Sequence, residues 1–589
     1  MTRFPKVTPL LGAFALALAA CGTDPQSPPG EVRIALTSAP TSVYPGGSHN
    51  RYASTIVLAT YETPLTYRPL GESKRLAPQL ATAMPLVSDD GLVVTLKLRK
   101  DAVFTDDPAF PDGRGRPVTA HDVAYSILRH FDPALALTTT GAAQFRDHLV
   151  GIKTWQGDYA APPEGIEVID EHTVIFRLVA PTYEFLHTLA TAKAAVVPRE
   201  AEQYHGDDLA RRTVGSGPYT LTQFDEARAV LERNPRYPVR RYSLVEAGYV
   251  PGQDDQRLEA LEGRQLPMIP RVRLEFASDP ASRWLSFQNG ELDATPVGVG
   301  TLKSMLENAD GLKLAPAVSD QYTLHVDPRE EVILMRIRMD DDSIGHHADP
   351  VTDQENRELR CALARAVNWE ELNQINFEGK ARVITGVIPP ALPEFEDLPN
   401  PMAFDPWMAR TVFESVSARR ALPELRYGYA VGGKRRQTFD KWATQLTTAG
   451  YPAEQIVLEQ YASFSDFLNG AMSGNHNVTF ISWTLNASTA ENVLQLFFGP
   501  NAAPGANLGN YKSDHFDRLF EQLQTTSDPQ ARQELVDTMN RQLMSDCAFF
   551  GSLAPARLML SRKDLLGRVG RNATLVGRYF QYLAWDTEP

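Results

Sequence analysis

Cysteine is scarce in this chain, with three residues in 589. Stability must therefore come from packed cores, and the length calls for two or three of them rather than one. Positive charge is also in deficit. Lys and Arg number 58 against 72 Asp and Glu, a net charge of −14, which argues against nucleic acid or an anionic membrane surface as partner. There is no low-complexity tract. The motifs of hydrolytic chemistry are missing too: no G-x-S-x-G, no S-x-x-K and no H-E-x-x-H. No nucleophile or metal set stands out, so an enzyme is not expected, and neither is a cofactor. What remains is an ordinary globular composition, 43% hydrophobic and 22% charged, that can bury sizeable cores.

The first twenty residues differ from the rest. Arg3 and Lys6 precede an uncharged apolar run from Val7 to Ala20. That run is short of the roughly 20 residues a bilayer span needs and suits the core of a signal peptide. It ends Leu18-Ala19-Ala20-Cys21, which resembles a bacterial lipobox, with Cys21 as the lipidated residue. Lipidation would attach the chain to a membrane without a transmembrane helix, and Asp24 to Gly30 would serve as a tether. The other two cysteines, Cys361 and Cys547, sit in apolar helical contexts. They could pair, but nothing in their spacing demands it, and they are expected to be buried free thiols.

The mature chain is organised around Leu76 to Pro133. Asp89-Asp90-Gly91 supplies a turn, and Leu92 to Leu98 alternates as a half-buried strand. Thr119 and Asp122 form a short-armed capping box for a helix whose apolar stripe is Val123, Ile127, Leu128 and Phe131. A hairpin follows, 165–168 and 174–178, turning at Asp170-Glu171-His172. Gly215-Ser216-Gly217-Pro218-Tyr219 lacks the Lys-Ser/Thr of a phosphate-binding loop, and Pro218 removes a donor. It predicts a crossing where backbone meets backbone. Ser243 to Pro267 reads as an inserted surface loop. From Arg271 helices and strands alternate. Leu359, Ala362, Leu363, Ala366 and Val367 line one face of a helix, and a β-α-β-α-β run from Leu425 to Trp483 predicts a parallel sheet. Asp528-Pro529 opens a helix reaching Met544, and Leu558–Leu560 and Tyr579–Trp585 are expected as closing strands.

Taken together, the Leu76–Pro133 segment, Tyr61-Glu62-Thr63-Pro64-Leu65, Gly215 to Tyr219, Gly290-Glu291-Leu292-Asp293-Ala294 and the Arg357–Asn368 helix stand in the order of a known family. The chain resembles the family 5 extracellular solute-binding proteins, the peptide-binding components of bacterial ABC importers. The resemblance implies a class II two-lobed α/β periplasmic-binding-protein fold with an extra α+β domain in the first lobe. The expected division is a signal peptide at 1–21 and a tether at 22–30. Lobe I would comprise 31–60, 211–270 and 545–589, with the inserted subdomain at 61–210 and lobe II at 271–544. It also implies a monomer that hands a peptide or other small solute to permease subunits, anchored to the cell envelope through Cys21. An oligosaccharide, opine-like compound or metal chelate as ligand, or a tethered receptor or chaperone uncoupled from transport, remain open.

Ligands of open α/β sheets sit beyond the carboxyl ends of the strands, which points to Trp483, Thr484 and Asn486. In the family the residue three after this tryptophan is an aspartate that pairs with a peptide's ammonium. Here it is Asn486, so either another carboxylate takes the amine or the ligand has none. Glu491 is near in sequence. From the first lobe, His49, Asn50 and Arg51 fall where relatives contact the ligand. His346, His347 and Asp349 form no recognised metal spacing.

Overall fold

The computed structural model describes residues 30–46, 51–71, 75–135, 139–307, 312–485, 488–567 and 577–586. Cys21 with the expected signal peptide, and His49, Asn50 and Asn486, lie outside them; Arg51 is described only as the first residue of a helix.

Two large sheets carry the architecture. The first has seven strands in the order 322–328, 556–562, 294–296, 31–36, 271–276, 228–233 and 219–224. Its centre is the strand Glu31–Leu36, buried at every position and parallel to Arg271–Phe276 and Ala294–Pro296. A strand covered on both faces reads as a continuous apolar run rather than an alternating one. Here the first half of that run carries charges: Glu31 and Arg33 are buried with ionic partners. The second sheet has six strands in the order 382–384, 549–554, 331–337, 478–484, 425–430 and 456–461. Leu425–Ala430 runs parallel to Ile456–Tyr461 and to Val478–Thr484, as the β-α-β-α-β pattern predicts. Helices Arg435–Thr448 and Phe464–Ser473 make the crossovers, with Phe439, Trp442 and Leu446 turned into the core.

The strand pairing corrects the expected lobe boundaries. Lobe II was to begin at Arg271, yet the strands 271–276, 294–296 and 322–328 all belong to the first sheet. Helix–strand alternation predicts parallel pairing without saying which sheet the strand joins. The chain passes to the second sheet between Pro328 and Glu331 and returns between Ala554 and Ala556. The strand Phe549–Ala554, assigned to lobe I from its position near the C-terminus, is therefore in lobe II. The crossings are bonded to each other, Arg329 N donating to Pro555 O at 2.9 Å.

Within the first lobe, a four-stranded sheet in the order 86–87, 93–97, 173–177 and 166–170 packs with helix Ala120–Leu128 around its own apolar core. Asp122 accepts from Thr119 N at 2.8 Å and Thr119 Oγ1 at 3.0 Å, and Val123, Ile127 and Leu128 are buried. The Gly215–Gly217 loop is pressed against Thr60: a Cβ on Gly215 would lie 2.1 Å from the Thr60 carbonyl oxygen. Backbone does meet backbone there.

Three local expectations change. Residues 243–267 are not only surface, because Ala247, Leu258, Leu261 and Leu266 share a small core with Tyr579 and Ala584. Gly577–Tyr582 forms a 3₁₀ helix before the two-residue strand Ala584–Trp585. Cys361 and Cys547 are joined in a disulfide, with Cα atoms 5.2 Å apart, rather than being free thiols. Cys361 belongs to helix Pro350–Arg365, which lies over the strand Phe549–Ala554 that Cys547 precedes. Packing brings together what spacing did not.

Candidate ligand cavity between the lobes

A cavity of about 640 Å³ opens where the two crossings meet the lobes, within the roughly 300–1,000 Å³ range that encloses small ligands. Helix Arg51–Thr60 contributes Tyr52 and Thr55, the strand Leu65–Tyr67 contributes Tyr67, and Arg578 enters from the C-terminal segment. Lobe II supplies Asn376, Phe377, Glu378 and Lys380 from the end of helix Trp369–Phe377, and Ser488 from beyond the strand Val478–Thr484. Asp327 and Glu330 line it from the first crossing, Arg557 from just past the second. Aromatic faces, three carboxylates and three cations thus converge on one space. A pocket of this kind fixes a polar ligand by a few placed charges while its rings exclude water.

Several of these groups are held in place. Arg578 is buried, donating to Thr66 Oγ1 at 3.2 Å and to Ala190 O at 2.6 Å, with its guanidinium 5.3 Å from the Tyr67 ring centroid. The Tyr67 hydroxyl is 3.1 Å from His187 Nδ1 and is hydrogen-bonded to Ser488 across the lobes. Burial, reinforced by the negative charge of Glu330, pushes that hydroxyl's pKa well up. Ser488 Oγ in turn donates to Glu330 Oε1 at 2.5 Å.

The strand-end residues fall nearby but not in the cavity wall. Trp483 is half-buried against the lobe II core, and its Nε1 donates to Asn492 O at 2.8 Å; it braces the loop that presents Ser488. Thr484 is exposed and stands opposite Glu331 in the ladder. Leu485 N donates to Glu330 O at 2.9 Å. Glu491 does not reach the cavity: it is buried and bound by Arg532 at 2.8 and 2.7 Å. Gly46, at φ +90°, brings the first-lobe loop against His130, and Pro45 O accepts from Arg129 at 2.8 Å. Asp349 caps the helix Pro350–Arg365, accepting from Thr352 N at 2.9 Å, while His347 Nδ1 accepts from Asp349 N.

Sequence reasoning missed Asp327, Glu330, Lys380, Arg557 and Arg578. One local signal was present for the crossing: Asp327-Pro328-Arg329-Glu330-Glu331, a charged break around a proline between two apolar strands.

The family model for "Bacterial extracellular solute-binding proteins, family 5 Middle" matches residues 75–505. A relative, "Di/tripeptide-binding protein 2" of Pseudomonas aeruginosa (strain UCBPP-PA14), is 24% identical over 586 residues, covering 95% of each chain. Among solved structures, the unliganded open form of the periplasmic murein tripeptide binding protein MppA is similar at TM-score 0.71 and 16% identity, covering 94% of this chain and 96% of that one. HbpA2 from Haemophilus parasuis is similar at TM-score 0.72 and 16% identity, covering 94% and 99%. Both structural likenesses confirm the two-lobed periplasmic-binding-protein fold.

Proposed function

Since the chain belongs to the bacterial extracellular solute-binding proteins of family 5, we propose that it captures short peptides between its lobes and delivers them to the membrane permease of an ABC importer. The observation that carries the reading is the cavity at the crossings, walled by both lobes and holding charges of both signs. A di- or tripeptide is a zwitterion with a polar backbone and variable side chains. Charges at fixed places with aromatic walls between them suit that chemistry. A ligand touching both lobes favours the closed arrangement by its differential affinity for it. The name of the Pseudomonas relative, a di/tripeptide-binding protein, supports the same class.

Further parts of the reading rest on sequence alone. Residues 1–21 are a signal peptide, Cys21 carries the lipid, and 22–30 tether a monomeric receptor in the periplasm or at the cell envelope. Trp483, Thr484, Asn486, His49, Asn50 and Arg51 contact the ligand. Replacing Cys21 with serine should release the protein from membranes, and retention would remove the anchor.

A second reading, a non-peptide solute, is favoured by Asn486, which carries no charge to meet an ammonium. The experiment that separates the two is native mass spectrometry of protein purified from cells, followed by thermal-shift screening of peptides against sugars and opines. A peptide ligand with a melting shift supports the proposal. A shift from a sugar or opine alone removes it.

A further inference from the structure

The cavity reaches the crossing itself, and the crossing is charged. Glu330 lies between the strands Tyr322–Pro328 and Glu331–Ile337, facing the cavity. Its backbone carbonyl accepts from Leu485 N at 2.9 Å, and its carboxylate accepts from Ser488 Oγ at 2.5 Å. Ser488 is hydrogen-bonded to Tyr67 of the other lobe. The side chain is therefore held by lobe II, and through Ser488 is linked to Tyr67 of lobe I, which lowers the ordering cost of binding. A carboxylate offers about four acceptor sites, and an ammonium brings three donors.

The charges around it indicate which ligand group it suits. Asp327 lines the same wall and is buried. Arg557 stands opposite Asp327 in the ladder. The crossing wall thus carries two carboxylates against one guanidinium. The remaining cavity cations, Lys380 and Arg578, come from lobe II and from the C-terminal segment respectively, and Glu378 sits beside Lys380.

We propose that Glu330 is the counter-ion for the free amino terminus of the bound peptide, with Asp327 reinforcing the negative wall. The inference rests on the peptide reading above. It answers the vacancy of charge at Asn486, since a buried ammonium needs an anion and Glu491 is committed to Arg532. Because Glu330 belongs to the segment joining the lobes, where closure changes backbone torsions, the amine would bind directly to the moving part.

The test is calorimetric titration of the wild type and Glu330→Gln with the best binder from a panel of unmodified di- and tripeptides, and with its N-acetylated form. The wild type should bind the free peptide at least tenfold more tightly than the acetylated one. Glu330→Gln should lose at least tenfold for the free peptide and stay within twofold for the acetylated one, with Glu330→Asp recovering part of the difference. Should Glu330→Gln not fold, Ser488→Ala, which loosens the carboxylate, should weaken the free peptide alone. Unchanged discrimination in Glu330→Gln, or in Ser488→Ala where it stands in, overturns this inference and leaves the peptide reading standing. Failure of the wild type to bind any member of the panel overturns both.

Discussion

Asp293 holds Arg33 three times over: it accepts from the Arg33 backbone N at 2.7 Å, from Nε at 3.1 Å and from NH2 at 3.1 Å, with both residues buried. The aspartate of the Gly290–Ala294 motif thus fixes the strand Glu31–Leu36 to the strand Ala294–Pro296 beside it. Arg562 approaches the same carboxylate at 3.9 Å, so three strands of the first sheet meet at one charge.

Removing one member of a buried ion pair strands the other without compensation, at about 3–5 kcal/mol. Asp293→Ala should lose stability of that size in urea unfolding, read from the first lobe. A loss within 1 kcal/mol would show that the pair is solvated in solution.

The glycine loop gives a steric prediction. A methyl group on Gly215 would meet the Thr60 carbonyl oxygen at 2.1 Å, and one on Gly217 would meet Thr60 C at 2.6 Å. Backbone cannot swing aside as a side-chain tip does. Gly215→Ala should lower stability by about 1–3 kcal/mol or more, measured as a lower melting temperature with unchanged ligand preference.

The Cys361–Cys547 bridge closes a loop across 186 residues. Its removal should cost about 2–4 kcal/mol. Thiol titration of the unfolded, unreduced protein should find neither cysteine free, and reductant should lower the denaturant midpoint of lobe II.

One contact between the lobes holds a carboxyl with a raised pKa. Tyr183 N donates to Gln524 O at 3.0 Å, and the Arg532 guanidinium lies 4.2 Å from the Tyr183 ring centroid. Next to it, Glu184 lies within the field of Glu491 and bonds Asn492. Burial, then the Glu491 charge, push the Glu184 carboxyl up to about 7. The charged group acting on it is Glu491, itself bonded to Arg532, which also holds Glu394 at 3.0 and 2.8 Å. A carboxyl whose pKa is raised by the contact contributes stability fully below its ordinary value of 4.5, and that contribution is lost as pH climbs through about 7. The lobe separation measured by fluorescence transfer between the two lobes should therefore widen between about pH 4.5 and 7, and Glu184→Gln should abolish the change.

Arg336 offers the opposite case from Arg532. It is buried, its Nη1 reaches Leu496 O at only 3.5 Å, and Nε has no hydrogen-bond partner among the described residues. Burial pulls its pKa down to about 10. A charge so placed costs stability, and Arg336→Met should leave the melting temperature equal or higher. A drop of several degrees would mean that the guanidinium is compensated in solution.

What the sequence made legible was local. Thr119 with Asp122, and Asp528 before Pro529, mark helix starts because capping acts over three residues; Asp528 accepts from Ala531 N at 2.8 Å. The Leu359–Val367 stripe is buried because helical period alone puts those residues on one face. Motif order carried the family and the fold. The rest depended on distant partners. Nothing near Arg271 says that its strand pairs with Glu31–Leu36, and nothing near Cys361 points to Cys547. The cavity was illegible for the same reason: Tyr67, Glu330, Ser488 and Arg578 come from four separated stretches, and only the charged break at Asp327–Glu331 announced one of them.

The strand Ala556–Arg562 lies inside the first sheet, between 322–328 and 294–296. A ribosome delivers it long after Glu31–Leu36, tens of seconds later at about 5–20 residues per second. During that interval the sheet has a gap where the strand belongs, with unsatisfied amide edges on both sides of it. The first lobe is consequently unable to mature until that strand has been made, and a nascent chain cut short before Ala556 would leave that lobe unfinished.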